Sequence, residues 1–288
     1  MMPTVLLEAE KKEKVIIKPE PFLKWAGGKS QLLKQFEPFL PPKFNNYLEP
    51  FVGGGAVFFY LYNTGRLKGK KIILIDSNEE LINCYLVIKE NVERLIGVLR
   101  SHKYVNRKEV YYRIRAEEPK DRFERAARTI YLNKTCFNGL YRVNSKGKFN
   151  VPFGRYKAPL ICDSRNLRAV SIALKNVKIL CDDFEKSLEY AGKGDFIYFD
   201  PPYQPLSKTS NFTSYTKDAF SEEDQKRLCE VFKRLDKMGC KIMLSNSDTH
   251  FIRKLYKKYR VEVVYAKRAI NCKPSGRGAI KELVVLNY

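Results

Sequence analysis

The sequence predicts an α/β protein built around one doubly wound sheet that carries a basic insertion. Outside residues 101–168, short apolar runs alternate with stretches of helical periodicity, as they do when helices cover both faces of a sheet. The last two apolar runs have no helical stretch between them, which predicts an antiparallel hairpin at one edge of the sheet. Within residues 101–168 the alternation stops, and stretches rich in Arg and Tyr are followed by turn signals. The insertion is therefore expected to be mainly helical and, because no low-complexity linker flanks it, to pack against the sheet.

The elements follow in chain order from short apolar runs of strand length and from longer amphipathic stretches. The predicted strands are Tyr47–Glu49, Lys71–Asp76, Val177–Leu180, Phe196–Asp200, Lys241–Asn246, Val261–Ala266 and Glu282–Asn287. The predicted helices are Gly54–Tyr62, Glu79–Arg100, Ser221–Met238 and Asp248–Tyr259. The predicted division of the chain is an N-terminal extension (1–20), the first part of the sheet domain (21–100), the insertion (101–168) and the second part of the sheet domain (169–288).

Charge is the strongest compositional signal. The chain has 54 Lys and Arg against 32 Asp and Glu, a net charge of +22. Residues 100–168 contribute 18 basic and 6 acidic residues, so more than half of the excess lies in less than a quarter of the chain. Such a concentration favours a polyanion as partner and places it against the insertion.

Other classes of protein fit the composition poorly. No apolar run is long enough to cross a membrane, and the charged segment near the N-terminus is unlike a secretory signal, so we expect no membrane partner. The seven cysteines contain no C-x-x-C pair and predict a reducing, cytoplasmic location. His102 and His250 are the only histidines, and no Cys or His group has metal-ligand spacing, so no metal site is expected.

The segment K-W-A-G-G-K-S (24–30) has the last three residues of a phosphate-binding P-loop but not the rest of it. The loop requires a glycine at position 23, where the chain has Leu23, and no apolar strand precedes the segment. A nucleotide triphosphatase is therefore excluded, and this stretch needs another explanation.

A glycine turn follows the first predicted strand in Y-L-E-P-F-V-G-G-G (47–55). It lacks the third glycine of a dinucleotide fingerprint, because Phe58 stands in its place. The backbone of such a turn can still approach a ligand closely, and Asp76 ends the next strand about 20 residues further on, where a carboxylate suits a ribose hydroxyl. The pair favours a cofactor that contains a nucleoside.

The most informative motif is D-F-I-Y-F-D-P-P-Y (195–203). The strand carries Asp200 to the carboxyl edge of the sheet, where ligands of such folds bind. Pro201 and Pro202 have no N–H, and Tyr203 adds an aromatic plane. A carboxylate, a free carbonyl and a ring can together hold an exocyclic amine and its base.

These segments resemble one family over most of the chain, from about residue 21 to 288. K-W-A-G-G-K (24–29), E-P-F-V-G-G-G (49–55) and D-P-P-Y (200–203) are similar to the motifs of the D12 class (class α) adenine-N6 DNA methyltransferases, in particular the Dam branch. Further similarity lies in N-G-L-Y-R-V-N (138–144), G-K-F-N-V-P-F-G-R-Y-K (147–157), P-L-S-K-T-S-N-F-T-S-Y (205–215), S-N-S-D-T (245–249) and K-E-L-V-V-L-N-Y (281–288).

The resemblance implies a class I S-adenosylmethionine-dependent methyltransferase fold, Rossmann-like, with a mixed sheet and an inserted DNA-recognition domain. It also implies transfer of a methyl group from S-adenosylmethionine to N6 of an adenine flipped out of duplex DNA, within G-A-T-C. The residues that would form the donor site are Trp25, Lys29, Glu49, Phe51, Gly53, Asp76, Asp183, Phe184 and Asp200. The catalytic residues would be Asp200, Pro201, Pro202 and Tyr203, with the ammonium of Lys29 near the carboxylate of the donor.

In the insertion, the resemblance implies that Phe137 is a wedge between base pairs. The other positions that match DNA contacts in the family are Lys24, Asn138, Leu140, Arg142, Pro152 and Tyr156. An Arg can hold O6 and N7 of guanine in a fork, and Leu or Pro can touch the methyl group of thymine, so these residue types suit base recognition.

Three alternatives stay open from the sequence. One is a modification enzyme with a longer or different site, paired with a restriction endonuclease. Another is an amine methyltransferase that acts on RNA or on protein glutamine. The third is a DNA-binding protein without activity, against which the intact D-P-P-Y motif argues. We expect a monomer that acts on double-stranded DNA in the cytoplasm, associated with the nucleoid.

Overall fold

The structure, a computed structural model, describes residues 17–25, 27–205, 220–267 and 279–288. Most of the predicted extension (1–20) and the segment 206–215 of the sequence resemblance lie outside the described residues. The described strands are β1 (Tyr47–Pro50), β2 (Ile72–Asp76), β3 (Val177–Cys181), β4 (Phe196–Phe199), β5 (Lys241–Ser247), β6 (Arg260–Lys267) and β7 (Ala279–Leu286). The described α-helices are α1 (Leu33–Phe36), α2 (Ala56–Asn63), α3 (Glu79–Leu99), α4 (Lys108–Ala116), α5 (Arg122–Thr135), α6 (Ser164–Leu174), α7 (Ser187–Tyr190), α8 (Glu222–Lys237) and α9 (His250–Leu255).

The seven strands form one mixed sheet in the order β3-β2-β1-β4-β5-β7-β6. The first five are mutually parallel, β7 is antiparallel to β5, and β6 is antiparallel to β7 at the edge. All seven predicted strands and the terminal hairpin are confirmed. The order reverses at β1 and β4, and ligands of open α/β sheets bind at such a switch point, outside the carboxyl ends of the strands.

Two of the predicted helices begin later than the sequence indicated, for local reasons. Gly55 has a left-handed backbone, φ 71°, so α2 begins only at Ala56. The side chain of Thr249 accepts a hydrogen bond from the N–H of Ile252, so it caps α9, which is shorter than predicted.

The insertion contains two helices and an irregular hairpin. The helices α4 and α5 are followed by a loop in which Cys136 pairs with Phe153 and Val143 pairs with Phe149 across antiparallel bridges. Buried residues of these helices, such as Tyr111 and Ile130, belong to the same hydrophobic core as residues on one face of the sheet. Since α5 packs on α3 within that core, the hairpin is attached to the sheet through a rigid connection.

Candidate functional site

A cleft with a volume of about 1180 Å³ lies at the carboxyl ends of the parallel strands. We call it the main cleft. The residues used below that line it are Trp25, Lys29, Glu49, Phe51, Gly53, Asp76, Asp183, Phe184, Asp200, Pro201, Pro202, Tyr203 and Glu282. Every residue that the sequence predicted for the donor site or for catalysis therefore lies on one cavity. Its position is the one that parallel sheets offer to ligands.

The floor of the main cleft carries a chain of charged and aromatic contacts around Asp200. The ammonium of Lys29 lies 2.8 Å from Oδ1 of Asp200 and donates a hydrogen bond to the carbonyl of Gly27 at 2.5 Å. It also lies 4.6 Å from the centroid of the Tyr203 ring. Lys29 is only 3% exposed, whereas the side chain of Asp200 is 19% exposed. The lysine is thus buried behind the carboxylate, and the carboxylate faces the cleft.

The D-P-P-Y turn leaves one carbonyl oxygen available. The side chain of Gln225 donates a hydrogen bond to the carbonyl of Pro202 at 2.9 Å, but no donor among the described residues reaches the carbonyl of Pro201. The hydroxyl of Tyr203 donates to Oε2 of Glu282 at 2.7 Å, which fixes the plane of the ring. The Asp200 carboxylate, which pairs with Lys29 through Oδ1, and the Pro201 carbonyl are therefore two acceptors beside an oriented ring.

Three carboxyl groups of the main cleft, those of Asp76, Asp200 and Glu49, have raised pKa values, and burial is the largest cause for each. Burial raises the pKa of Asp200 to about 6, although the neighbouring Lys29 opposes the shift. Burial also raises the pKa of Glu49 to about 8, against the hydrogen bond that the Tyr47 hydroxyl donates to it at 2.8 Å. Near pH 7 Asp200 is therefore mostly ionised and Glu49 is mostly protonated. Titratable groups whose environments separate their pKa values in this way are typical of active sites.

The glycine turn after β1 is held in an unusual conformation. Phe51 has a φ of 77°, a left-handed value that a bulky residue rarely adopts. The N–H of Gly53 donates to Oδ2 of Asp76 at 3.0 Å, and the hydroxyl of Tyr85 donates to the carbonyl of Gly53. A Cβ atom on Gly53 would lie 2.9 Å from the Trp25 ring, so only glycine fits there. The turn therefore places Asp76 and Trp25 side by side on the cleft wall.

A second wall of the main cleft is aromatic. The Phe184 ring stacks on Phe51 with centroids 5.2 Å apart and planes at 25°, and the Phe220 ring meets both at steeper angles. Asp183 at the start of this wall forms an ion pair with Arg227 of α8 at 3.0 Å. These rings give the cleft a flat apolar surface next to carboxylates, which suits a nucleoside.

The residues predicted to contact DNA lie around the hairpin of the insertion. The N–H of Phe137 donates to the carbonyl of Pro152 at 2.8 Å, and the Phe137 side chain is 49% exposed. Asn138 has a left-handed backbone, φ 56°. Leu140 is half-buried against the main core. The Lys24 ammonium lies 5.2 Å from the Tyr156 ring centroid, so the N-terminal segment adjoins the hairpin.

Arg142 projects from the hairpin with its orientation already set. Its Nε donates to Oδ1 of Asn150 at 2.8 Å, and its Nη2 lies 3.4 Å from the carbonyl of Asn150. The other hydrogens of the guanidinium stay available for another acceptor. The structure therefore brings six of the seven predicted contacts to one stretch of the insertion and adds Lys24 to it from a distant part of the chain.

Sequence reasoning missed several residues on which this geometry depends. Buried Asn133 accepts from the N–H of Lys24 and donates to the carbonyls of Lys24 and Gly139, so it joins the cleft to the hairpin. Glu282 and Arg227 orient Tyr203 and Asp183, and Asn150 orients Arg142. The sequence signal for Glu282 is limited to its position directly before the apolar run Leu283–Leu286 of β7.

A parallel sheet that ends in an antiparallel β7 inserted between β5 and β6, with the main cleft at its carboxyl edge, defines the class I methyltransferase fold. A comparison with family profiles matches residues 25–270 to the D12 class N6 adenine-specific DNA methyltransferases. This match spans most of the chain, and the protein belongs to that family.

Curated relatives agree with this assignment. The chain is 52% identical to the type II methyltransferase M.MjaIII of Methanocaldococcus jannaschii, over 93% of this chain and 99% of the relative. It is 48% identical to the type II methyltransferase M1.LlaDCHI of Lactococcus lactis, over 93% and 95%. It is 38% identical to a DNA adenine methylase of Haemophilus influenzae, over 94% of each.

Two absences concern the described residues alone. Among residues 17–25, 27–205, 220–267 and 279–288, no helix is long and apolar enough to cross a membrane. In the same part of the chain, no group of three His, Cys, Asp or Glu side chains is arranged to hold a metal ion.

Proposed function

We propose that the protein transfers a methyl group from S-adenosylmethionine to N6 of an adenine in G-A-T-C, after the adenine has left the duplex and entered the main cleft. The observation that carries the proposal is a pair of acceptors beside the oriented ring of Tyr203: the Asp200 carboxylate, paired with Lys29 through Oδ1, and the Pro201 carbonyl, to which no described residue donates. An exocyclic amine has two N–H donors and its base has a face for stacking.

The main cleft fits the donor in size and chemistry. Asp76, whose two oxygens accept from the backbone of Gly53 and Asn78, would take the ribose hydroxyls. Phe184 and Asp183 would hold the adenine of the donor, and Trp25, Phe51 and Glu49 would line the rest. When bound, the donor supplies an electrophilic methyl group on a sulfonium.

The residues of the chain prepare the amine. Asp200 and the Pro201 carbonyl accept hydrogen bonds from its two N–H groups, which draws the nitrogen away from the plane of the ring and frees its lone pair. The proton that the methylated nitrogen loses passes to the Asp200 carboxylate. Buried Lys29 keeps Asp200 charged, and Glu282 holds the Tyr203 ring against which the base stacks. Most of the acceleration then comes from positioning and electrostatics. Unpairing the base costs on the order of a few kcal/mol.

The hairpin supplies recognition in this proposal. Residues 101–168 act as a target-recognition domain between two parts of a catalytic domain, 21–100 and 169–288. Arg142 reads a guanine through the face that Asn150 leaves free, and Phe137, exposed at the tip, enters the base stack. Lys24 reads the outer guanine, while Asn138, Leu140, Pro152 and Tyr156 complete the contact surface.

A role in restriction–modification has its own support. The two relatives with 52% and 48% identity are named type II methyltransferases, whereas the DNA adenine methylase is 38% identical. A cognate restriction endonuclease is therefore the partner that this role implies, and the methylated site would be the one that the nuclease cuts.

The test is methylation of a random duplex DNA pool, followed by sequencing of the modified adenines. Methylated adenine confined to G-A-T-C supports the proposal, and a different motif overturns the site while retaining the reaction. Modification of RNA in competition with duplex DNA would overturn the substrate.

Arg142 allows a sharper version of that test. A bidentate contact to guanine contributes roughly 1–3 kcal/mol of discrimination. Arg142→Ala should therefore relax the preference at one position only, and Arg142→Lys should restore part of it, because an ammonium lacks the planar fork. Equal loss on every single-base variant of the site would show that Arg142 contacts phosphate instead.

A further inference from the structure

A second cavity lies at the opposite edge of the sheet, near the amino ends of the parallel strands. We call it the basic pocket. It has a volume of about 480 Å³, and its lining includes Lys43, Phe44, Arg66, Lys70 and Lys241. The main cleft lies beyond the other ends of the same strands. A four-residue strand such as β1 spans roughly 13 Å, so the two cavities are separated by at least about that distance.

The charge of the basic pocket is uncompensated. Four of its eight lining residues are cationic and none is acidic. None of the four forms an ion pair within the described residues, whereas Arg94, Arg122, Arg125 and Lys103 on the insertion side of the chain are all paired with carboxylates. Cations that converge without a counterion repel one another, and a bound anion would remove that cost.

Three cations of the basic pocket are held in place by backbone carbonyl groups, which carry no net charge. The ammonium of Lys70 donates to the carbonyl of Phe44 at 2.5 Å, and that of Lys241 donates to the carbonyl of Lys43 at 2.5 Å. Arg66 donates to the carbonyl of Pro41. Carbonyl groups orient these side chains but neutralise nothing, and each cation keeps further hydrogens to donate.

The ring of Phe44 fixes the spacing of two of these charges. The ammonium of Lys70 lies 4.7 Å from the ring centroid, and the guanidinium of Arg66 lies 5.9 Å from it. The two charges are therefore on the order of 10 Å apart or less, which is comparable with the screening length at physiological salt. A guanidinium and ammonium groups around one cavity are the donors that proteins use for phosphate.

We propose that the basic pocket binds a phosphate group of a second DNA segment, distinct from the duplex whose adenine occupies the main cleft. The ligand chemistry is a phosphate with at least one negative charge and acceptor oxygens. DNA supplies it at high local concentration whenever the enzyme is on its substrate. A contact to a second segment would let the enzyme pass between distant stretches of DNA without full release. The proposal does not depend on which sequence is methylated.

The experiment is capture of a second duplex by enzyme already bound to DNA. The full chain is loaded on an immobilised short duplex, and a fluorescent duplex of unrelated sequence is then titrated. The wild type should capture it, and the triple variant Arg66→Gln/Lys70→Gln/Lys241→Gln should capture it at least about 10-fold more weakly, since it loses several charge-assisted contacts. The affinity of the triple variant for the immobilised duplex should differ from that of the wild type by less than about twofold.

A matched control separates a site from general charge. Lys254, Lys257 and Lys258 are exposed and form no ion pair among the described residues, so Lys254→Gln/Lys257→Gln/Lys258→Gln removes the same three charges elsewhere. Equal loss of capture in both triple variants overturns the proposal. If the pocket variant fails to fold, Lys43→Glu against Lys258→Glu repeats the comparison, because the exposed Lys43 side chain supports no other contact.

A second arm distinguishes the source of the phosphate. Inorganic pyrophosphate is titrated into the wild type and into the pocket variant by calorimetry, at constant ionic strength. It is also added to the capture assay, in which release of the fluorescent second duplex supports the proposal. Binding of pyrophosphate without capture of any second duplex would mean a small-molecule phosphate site and would overturn the DNA assignment. Neither pyrophosphate binding nor capture would overturn the site altogether.

Discussion

Lys29 offers the most direct test of how the main cleft keeps its carboxylate charged. The ammonium of Lys29 lies 2.8 Å from Oδ1 of Asp200 and is 3% exposed. It opposes the effect of burial, yet the pKa of Asp200 still rises to about 6. Without Lys29 nothing offsets that burial, so Lys29→Met should raise the pKa of Asp200 further.

The distance between Lys29 and Asp200 sets the expected size of this pKa shift. An opposite charge at this distance lowers the pKa of a carboxyl group by about 1–3. Its loss would move the pKa of Asp200 from about 6 to about 8, within a range of about 7–9. The ionised fraction at pH 7 would then fall by roughly 10-fold, and it would recover above pH 9 or so. In the proposed mechanism the ionised form accepts a hydrogen bond from the amine, so kcat should follow that fraction.

The assay is the pH dependence of kcat between pH 5 and 10, on one duplex, with donor and DNA saturating. The wild type should lose activity as the pH falls through about 6. Lys29→Met should lose activity as the pH falls through about 8, and Lys29→Arg should keep a profile close to the wild type.

The resemblance to the family implies an alternative role for Lys29, which is contact with the carboxylate of the donor. That role predicts a higher KM for S-adenosylmethionine at every pH and an unshifted acid limb of kcat. A variant whose loss is confined to KM would refute the assignment of Lys29 to Asp200. A variant with unchanged kcat at pH 7 would refute it as well.

Three further expectations concern the same cleft. Glu49→Gln should remove a pH dependence of stability. In the wild type the folded pKa near 8 lies above the ordinary 4.5, so the free energy of unfolding falls by about 1.4 kcal/mol per pH unit as the pH rises between those values. Thermal melts of the variant should therefore show a flatter dependence of stability on pH. Glu282→Leu should lower kcat by about 10-fold through loss of the Tyr203 hydrogen bond, whereas Glu282→Gln, which keeps an acceptor, should stay within a few-fold; equal kinetics for both would contradict the role. Asp200→Ala should lower the transfer rate at least about 100-fold with DNA affinity nearly unchanged, and near-normal turnover would reject the mechanism.

Periodicity and turn residues were enough to predict the sheet. The runs that form β1 to β5 end at, or within two residues of, a Pro or Asp, and the last two runs have no helical stretch between them, so the seven strands and the terminal hairpin were predictable. Helix ends were less so, because the left-handed backbone of Gly55 and the cap formed by Thr249 depend on local geometry.

The candidate site was predictable only where residues are neighbours in the chain or share a strand end. Asp200, Pro201 and Tyr203 follow β4, so their grouping could be inferred from one motif. Asn133 meets Lys24 across more than 100 residues, and no local pattern marks an asparagine inside a helix as a bridge. The fork of Arg142 and its partner Asn150 likewise depend on the hairpin register, which the insertion sets through packing.

Glu49 and Asp200, whose pKa values are both raised, differ in charge near pH 7. Glu49 is buried behind the glycine turn, and its pKa of about 8 leaves it neutral near pH 7, so it adds no charge that would repel Asp200. Were both ionised, each would raise the pKa of the other, since the two groups interact. A protonated Glu49 therefore adds no repulsion to the charge of Asp200, whereas burial and Glu282 raise the pKa of Asp200 and Lys29 opposes that shift. In the proposed mechanism the ionised Asp200 accepts a hydrogen bond from the neutral amine, with the buried Lys29 ammonium as its counterion.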